Sequence, residues 1–496
     1  MPPACGAPRC GSGAKWATRS AAGAPPDAPL RRPPSGASRV TATVLAQPRA
    51  EVSRSRLGIG LLAFIWVLPF HTVLMAWLFG GLGMPARVVR VVAAWKEALV
   101  AALVVAVVFR LALDRSRRSP VYALDLPVAG LIFLGLAYLL GGYAWFGLDV
   151  PIGARLYGLR DLVFFSLLYF VGRTTPDVVQ DHRVLKALFL VGVITSFVAV
   201  LERLFVTPQM LVLLGTADYF RDFLGGTAWT AGSPYGLPAN YWTMIGGQLV
   251  QRAGSTYLTS QGFAIPFLVI MPAATVWLLA RKRSPFAWLS YALLWAGLLL
   301  TVTRMTIVAC LLQALIIAGT RRRWGIIAST AAACAVAFSS ALLMLPSLAN
   351  FIGETLAWQS ASSLAHVDDW VTGLENTLRY PLGAGLGVAD QAAARSGVVA
   401  LAADNQYLTY AVQLGVFGLT LHLLTIAGAA LIGFKCAKAA ADVRSDYGIV
   451  VAATALGILL NAVTAGVFNA ILLSSVFFWL VGSLVTAASI EDTAAA

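Results

Sequence analysis

Apolar runs separated by short polar or glycine-rich joints recur from about residue 57 to residue 488. Many are roughly 17–25 residues long, the length a helix needs to cross about 30 Å of hydrocarbon. Twelve spans can be read, at roughly 57–80, 90–112, 122–142, 158–173, 184–206, 257–280, 285–302, 304–319, 324–347, 406–434, 448–466 and 468–488. The pattern predicts an all-α fold, a polytopic membrane helical bundle of about 12 transmembrane helices. The second span is amphipathic around Lys96 and Glu97, and the fourth is short and opens with Arg160 and Asp161.

Composition agrees. The 496 residues are 59% hydrophobic and only 12% charged, against about 25% charged in soluble domains. The net charge of +14 says little about partners, because residues 1–56 hold nine basic and two acidic residues. That stretch is also rich in Pro, Gly, Ala and Ser and cannot bury a core, so it reads as a disordered basic cytoplasmic tail. Its single aromatic, Trp16, and its lack of a fold argue against nucleic acid as a partner. Of the five cysteines none falls in the two long loops, so no disulfide framework or zinc motif is expected.

Basic clusters set the orientation. Arg115, Arg117 and Arg118 follow the second span, Arg281, Lys282 and Arg283 the sixth, and Arg321, Arg322 and Arg323 the eighth. All are even-numbered exits, so both termini are expected in the cytoplasm. The two long loops, 207–256 and 349–405, then fall outside. The second lies between spans nine and ten, and its stretch from Ala349 to Asp404 carries six acidic and two basic residues. It contains an amphipathic helix with Val367, Trp370, Val371, Leu374 and Leu378 on one face, stopped by Pro381 and a glycine-rich turn.

Four stretches carry candidate chemistry. "LTVTRMTIVACLLQALIIA" places Arg304 between two apolar spans, and "QRAGSTYLTSQGFAIPFLVIMP" places Arg252 just before the sixth. "HVDDWVTGLENTLRYPLGAGLG" gives a helix, a proline and a glycine-rich turn, and "DNQYLTYAVQLGVFGL" opens the tenth span. In this order, over about residues 252–434, they resemble the O-antigen ligase and polymerase family of bacterial membrane glycosyltransferases. The resemblance implies that residues 57–490 form a glycosyltransferase domain in the bacterial cytoplasmic (inner) membrane. It implies transfer of glycan from an undecaprenyl-diphosphate carrier to an acceptor hydroxyl at the outer face. The acceptor would be a growing glycan, a lipid or a protein, and no cofactor or metal is implied.

The residues fit that chemistry. Fixed guanidinium groups stabilise a leaving diphosphate, and a carboxylate or histidine orients or deprotonates the acceptor. Arg304 and Arg252 are the substrate-binding candidates. The structural alternatives are a snorkelling or topology-anchoring arginine for the first and a plain loop arginine for the second. Asp404 either caps the tenth span or acts on the acceptor, with Asn405 as hydrogen-bond partner. Family ligases commonly carry His-Asn where this chain has Asp404-Asn405, which tilts the expectation toward an exopolysaccharide or O-antigen polymerase. A ligase or a protein O-oligosaccharyltransferase is the alternative.

His366 is either a solvated loop histidine or a second catalytic candidate. Arg160, with Asp161, Glu202 and Arg203, either forms structural ion pairs or lines the lipid-diphosphate cavity. Asp368 and Asp369 read as a solvated face, since adjacent helical residues diverge and no His or Glu is seen to complete a ligand set. From another class, a secondary transporter of a polar solute or anion would place its charges near mid-membrane, and a lipid flippase would need a cationic groove through both leaflets.

The topology is testable. A reporter active only outside the cytoplasm is expected to work when fused within 207–250 or 350–400, and to fail after Arg283 or Arg323. Activity at the basic positions would overturn the orientation.

Overall fold

A computed structural model describes residues 57–113, 120–142, 147–226, 230–245, 247–279, 284–323, 361–438 and 442–495, with the single positions 325, 353 and 357. The expected basic tail, nearly all of the expected ninth span and the basic clusters after the second and sixth spans lie outside the described residues.

Seven helices are long and apolar enough to cross a membrane: Gly58–Gly81, Ala86–Leu113, Arg183–Phe205, Ser260–Leu279, Gln406–Ala437, Val443–Asn461 and Ile471–Ile490. Shorter apolar helices stand at the third, fourth, seventh and eighth expected spans, at Asp125–Gly141, Phe164–Arg173, Pro285–Leu300 and Arg304–Thr320. The outer surface keeps a belt of exposed Phe109, Phe133, Leu140, Phe286 and Leu289, which suits lipid and would be a liability in water. The Ile471–Ile490 stretch is almost wholly enclosed, with Phe477, Phe478 and Trp479 in the core. Among the described residues one sheet interrupts the helices, a two-stranded antiparallel hairpin of Trp242–Ile245 and Gln248–Gln251 in the first long loop.

Charges gather at the two ends of the bundle, as a low-dielectric middle requires. At one end Asp446 accepts from Arg321 and lies 2.9 Å from His182 Nε2, and Arg173 meets Asp125 at 2.5 Å. At the other end stand Glu202, Arg252 and Arg304. The described chain leaves the first end at Arg323 and resumes at the second with the Ala361–Arg379 helix.

Two loops are fastened to that second end by backbone groups that need partners. The carboxylate of Glu202 accepts Gly254 N at 3.1 Å, Ser255 N at 2.6 Å and the Tyr241 hydroxyl. It therefore serves the loop rather than pairing with Arg203 as one reading of the sequence had it. The other fastening is a kink in Gln406–Ala437, where Gly415 takes φ +69°. The kink leaves carbonyls without helical partners. Ala384 N donates to Val412 O at 2.7 Å, and Val416 N donates back to Pro381 O at 3.0 Å. A Cβ at Gly415 would meet the Leu382 carbonyl carbon at 2.5 Å, so only glycine fits. Gly387 follows at φ +86°, squeezed between the Ala154 backbone and the Gln413 side chain, whose Oε1 accepts its N–H at 2.6 Å.

Removing the Glu202 acceptor is expected to loosen the first loop. Glu202→Ala orphans two backbone N–H groups and a tyrosine hydroxyl, each costing about 1–3 kcal/mol. The thermal midpoint in detergent is expected to fall clearly, and to fall less for Glu202→Gln, which keeps an acceptor oxygen. An unchanged melt for Glu202→Ala would show that the loop is held otherwise.

Candidate functional site

The two fastened loops roof a cavity of about 1070 Å³ at the Glu202–Arg252 end. Its walls include His71, Lys96 and Glu97 of the first two long helices, Tyr157 and Arg160, and Asp390, Arg395, Asp404 and Asn469. The short helix Asp390–Arg395 brings an acid and a cation into this space together. It follows the glycine-rich turn directly, so the kink at Gly415 and the fit at Gly387 aim it.

Three cations converge on one part of the wall. Lys96 Nζ lies 3.4 Å from Glu97 and donates to Ala93 O at 2.6 Å. Arg160 Nε donates to Asp161 at 3.0 Å and lies 3.9 Å from Glu97. Arg395 donates to Gln391 at 3.1 Å, while its buried Nε has no acceptor among the described residues. The guanidinium carbons of Arg160 and Arg395 stand 5.8 and 5.5 Å from the centroid of the Tyr157 ring. Burial, and then the charge of Arg160, pull the pKa of Arg395 down. Three cations against the two nearby carboxylates leave room for an anion.

A second group is acidic. Burial and then the charge of Asp404 push Asp390 up to about 7, and its Oδ2 accepts from Asn469 Nδ2 at 2.7 Å. Asp404 is pushed up to about 6, by burial and then by the charge of Asp369. Both face the cavity and so keep partial exposure although they lie deep. Asp404 has φ +47°, a left-handed conformation uncommon for a residue with a side chain.

Of the residues expected from sequence, Arg160 and Asp404 line this cavity. Arg252 and Arg304 stand just behind it. Arg252 donates to Thr301 O at 2.7 Å, Thr303 Oγ1 at 2.9 Å and Asn240 O at 3.1 Å, and Asn240 itself lines the cavity. Burial and the charge of Arg304 lower Arg252 to about 10. His366 meets Asp404 and Asp369, with one ligand atom of each within 4.8 Å of the others. Burial lowers the pKa of His366 and raises that of Asp369. The expectation that no His stands with the aspartates fails for Asp369, while Asp368 stays on the exposed face as expected. His366 lies three residues before Asp369 on the same helical face, and Asp404 arrives from beyond the turn.

Asn405 answers the capping question. Its Oδ1 accepts Leu408 N at 3.0 Å and its Nδ2 donates to Val463 O at 3.0 Å. Asn405 is the cap of the long helix, which leaves the Asp404 side chain out of that duty.

Sequence reasoning did not nominate Lys96, Arg395 or Asp390. A signal existed for Lys96, since an ionisable residue inside an apolar span is costly unless it has work to do. Asp390 and Arg395 lie in an ordinary-looking loop segment, and only the turn before them shows where they go.

Residues 289–423 match the family model for O-antigen ligase. This stretch is similar to the O-antigen ligase family, which supports the resemblance read from the sequence. It runs from within the Pro285–Leu300 helix to the middle of Gln406–Ala437, and so contains Arg304, His366, Asp369, Asp390, Arg395 and Asp404. Lys96, Arg160 and Arg252 lie before it. No curated protein matches the chain. The match supports a membrane glycan-processing function of the O-antigen ligase and polymerase type.

Cap and site are separable by stability. Asn405→Ala is expected to cost about 1 kcal/mol, the usual loss of a cap, and so to lower the thermal midpoint. Asp404→Ala is expected to lower the midpoint less than Asn405→Ala does, because no cap is lost and a part-buried carboxylate beside Asp369 is removed, which offsets the poorer fit of Ala to the left-handed angle. The reverse order would make Asp404 the cap in solution.

Proposed function

We propose that the chain is a membrane glycosyltransferase that polymerises an exopolysaccharide or O-antigen-like glycan from an undecaprenyl-diphosphate-linked donor. The reaction takes place at the outer face of the cytoplasmic membrane, with both termini in the cytoplasm. The observation that carries this reading is the cavity, which opens at one end of an apolar bundle and holds a cationic group beside an acidic one. Lys96, Arg160 and Arg395 receive the donor diphosphate, with Arg252 and Arg304 adding positive potential from behind. Asp404 and Asp390 meet the acceptor hydroxyl.

The bond between the sugar C1 and the diphosphate oxygen breaks, and the diphosphate leaves on its lipid with the bonding electrons. The guanidinium groups stabilise the charge that develops there. The acceptor oxygen bonds to C1, and its proton passes to the Asp404–Asp390 pair. The positioning of charges at one end rather than mid-membrane suits a lipid-borne donor whose headgroup lies at the interface.

The test is glycan transfer from purified lipid-diphosphate donor to a defined glycan acceptor. Asp404→Asn is expected to insert and melt normally and to lose about 10²–10⁴ in rate, the usual cost of a lost general base. Arg395→Ala is expected to raise the donor KM at least about tenfold, since hydrogen bonds to charged groups are worth about 1.5–3 kcal/mol. Parent rates in both variants would overturn the assignment. Transfer to a lipid or protein acceptor but not to glycan would make the chain a ligase or O-oligosaccharyltransferase instead.

A further inference from the structure

Part of the cavity wall carries no charge. Asn240, Tyr257, Thr259 and Gln261 line it from the first long loop and the start of the Ser260–Leu279 helix. Two polar atoms here are enclosed and make no hydrogen bond among the described residues, the Asn240 side-chain Oδ1 and the Tyr257 hydroxyl. Both residues are otherwise fixed. The Asn240 carbonyl accepts from Arg252 Nη1 at 3.1 Å and from Ser260 Oγ at 2.8 Å. The Tyr257 ring packs on Phe263 with 5.9 Å between centroids. Its backbone lies in a turn where Ser255 and Leu258 take φ +49° and +58°, and strain of that kind gathers at ligand sites. A buried polar atom without a partner costs stability in the protein alone, and a ligand that supplies the partner removes the cost.

The cations elsewhere in the cavity suit phosphate, and the aspartates suit a proton. A neutral amide and a phenol suit neither. Their match is a ligand with uncharged groups that both donate and accept, as the hydroxyls of a pyranose ring do. We propose that Asn240 and Tyr257 bind hydroxyls of the sugar unit beside the diphosphate, with Gln261 as a second carboxamide on the same wall, and that they set which sugar is accepted. The inference rests on the glycosyltransferase reading and adds a specificity site to it, in a part of the chain that precedes the matched residues 289–423. A site built on hydrogen bonds rejects a sugar lacking the hydroxyl strongly, because its polar groups are then left unpaired. Arg252 holds the Asn240 carbonyl and also reaches Thr301 O and Thr303 Oγ1. The sugar wall and the turn before Arg304 are therefore tied together.

The experiment uses the full-length protein in detergent and two probes, bare undecaprenyl diphosphate and the glycan-loaded lipid diphosphate extracted from cells that make the protein. Affinity for each is measured by calorimetric titration, and the acceptor KM by glycan transfer. The parent is expected to bind the loaded lipid more tightly than the bare one. Tyr257→Phe removes one oxygen that has no protein partner. It is expected to melt no lower than the parent, to bind bare lipid as the parent does, and to lose about fivefold or more for loaded lipid. Asn240→Leu, of similar size, is expected to show the same loss for loaded lipid alone. Gln248→Ala, exposed on the hairpin, is expected to change neither affinity, and an equal loss there would overturn the subsite. A loss seen in the acceptor KM and not in donor affinity places the bound sugar on the acceptor and upholds the subsite. The parent's lipid preference and acceptor KM in both Tyr257→Phe and Asn240→Leu overturn the subsite and leave the transferase reading standing. No binding of either lipid by the parent overturns that reading and the subsite with it.

Discussion

A helix in an apolar bundle must satisfy its backbone polar groups internally, and the kink at Gly415 breaks that rule locally. The turn Pro381–Gly387 repairs it by donating to Val412 O and Gln413 O and accepting from Val416 N. This exchange is what the cavity depends on. It locks the second long loop to the helix that follows it, and the Gly387 fit against Ala154 locks the same loop to the helix bearing Tyr157 and Arg160. Asp390 and Arg395 are then placed by a rigid connection rather than by a free loop. Glu202 does the corresponding work for the first loop, and through Ala253 N to Leu300 O at 3.0 Å it ties Arg252 to the turn that begins the Arg304 helix. Precise placement of catalytic groups requires supports of this kind.

The charges around the cavity are grouped differently from the structural ion pairs elsewhere in the bundle. Structural ion pairs elsewhere in the bundle close on themselves, as Arg173 does with Asp125, Thr486 and the Pro120 carbonyl. Around the cavity, like charges are kept together. Arg160 and Arg395 share one tyrosine face, Arg252 feels Arg304, and Asp404 feels Asp369. Such groupings cost stability in a protein alone, and they cluster where a charged ligand completes them.

The bundle was legible in the sequence because membrane crossing imposes a length and an apolar composition on each helix separately. The expected spans among the described residues each carry an apolar helix, although four fall short of full crossing length. The neighbourhood of Arg252, Arg304, His366 and Asp404 was legible from motif order. What could not be read was tertiary. The division of labour between Asp404 and Asn405 turns on one backbone angle at Asp404. The arrival of Arg395 beside Arg160 turns on a glycine-rich turn threaded between two helices. Asp369 was set aside because Asp368, its neighbour, points elsewhere, whereas its real partners are three residues back and 35 residues on.

Relatives that act as ligases commonly place histidine before the asparagine that here is Asn405, and this chain has Asp404 there. Taken residue by residue, the change removes an imidazole from the site. Taken in three dimensions, it does not, because His366 comes to within 4.8 Å of Asp404 from the loop helix. The chain thus keeps an imidazole at the cavity edge and adds two carboxylates around it. A lone histidine offers one basic nitrogen to an acceptor. Here His366 lies beside Asp369 and Asp404 and feels the charge of Arg304, a more highly charged setting than a lone imidazole. The position before the cap thus carries a carboxylate here, freed from capping because Asn405 caps the helix that follows.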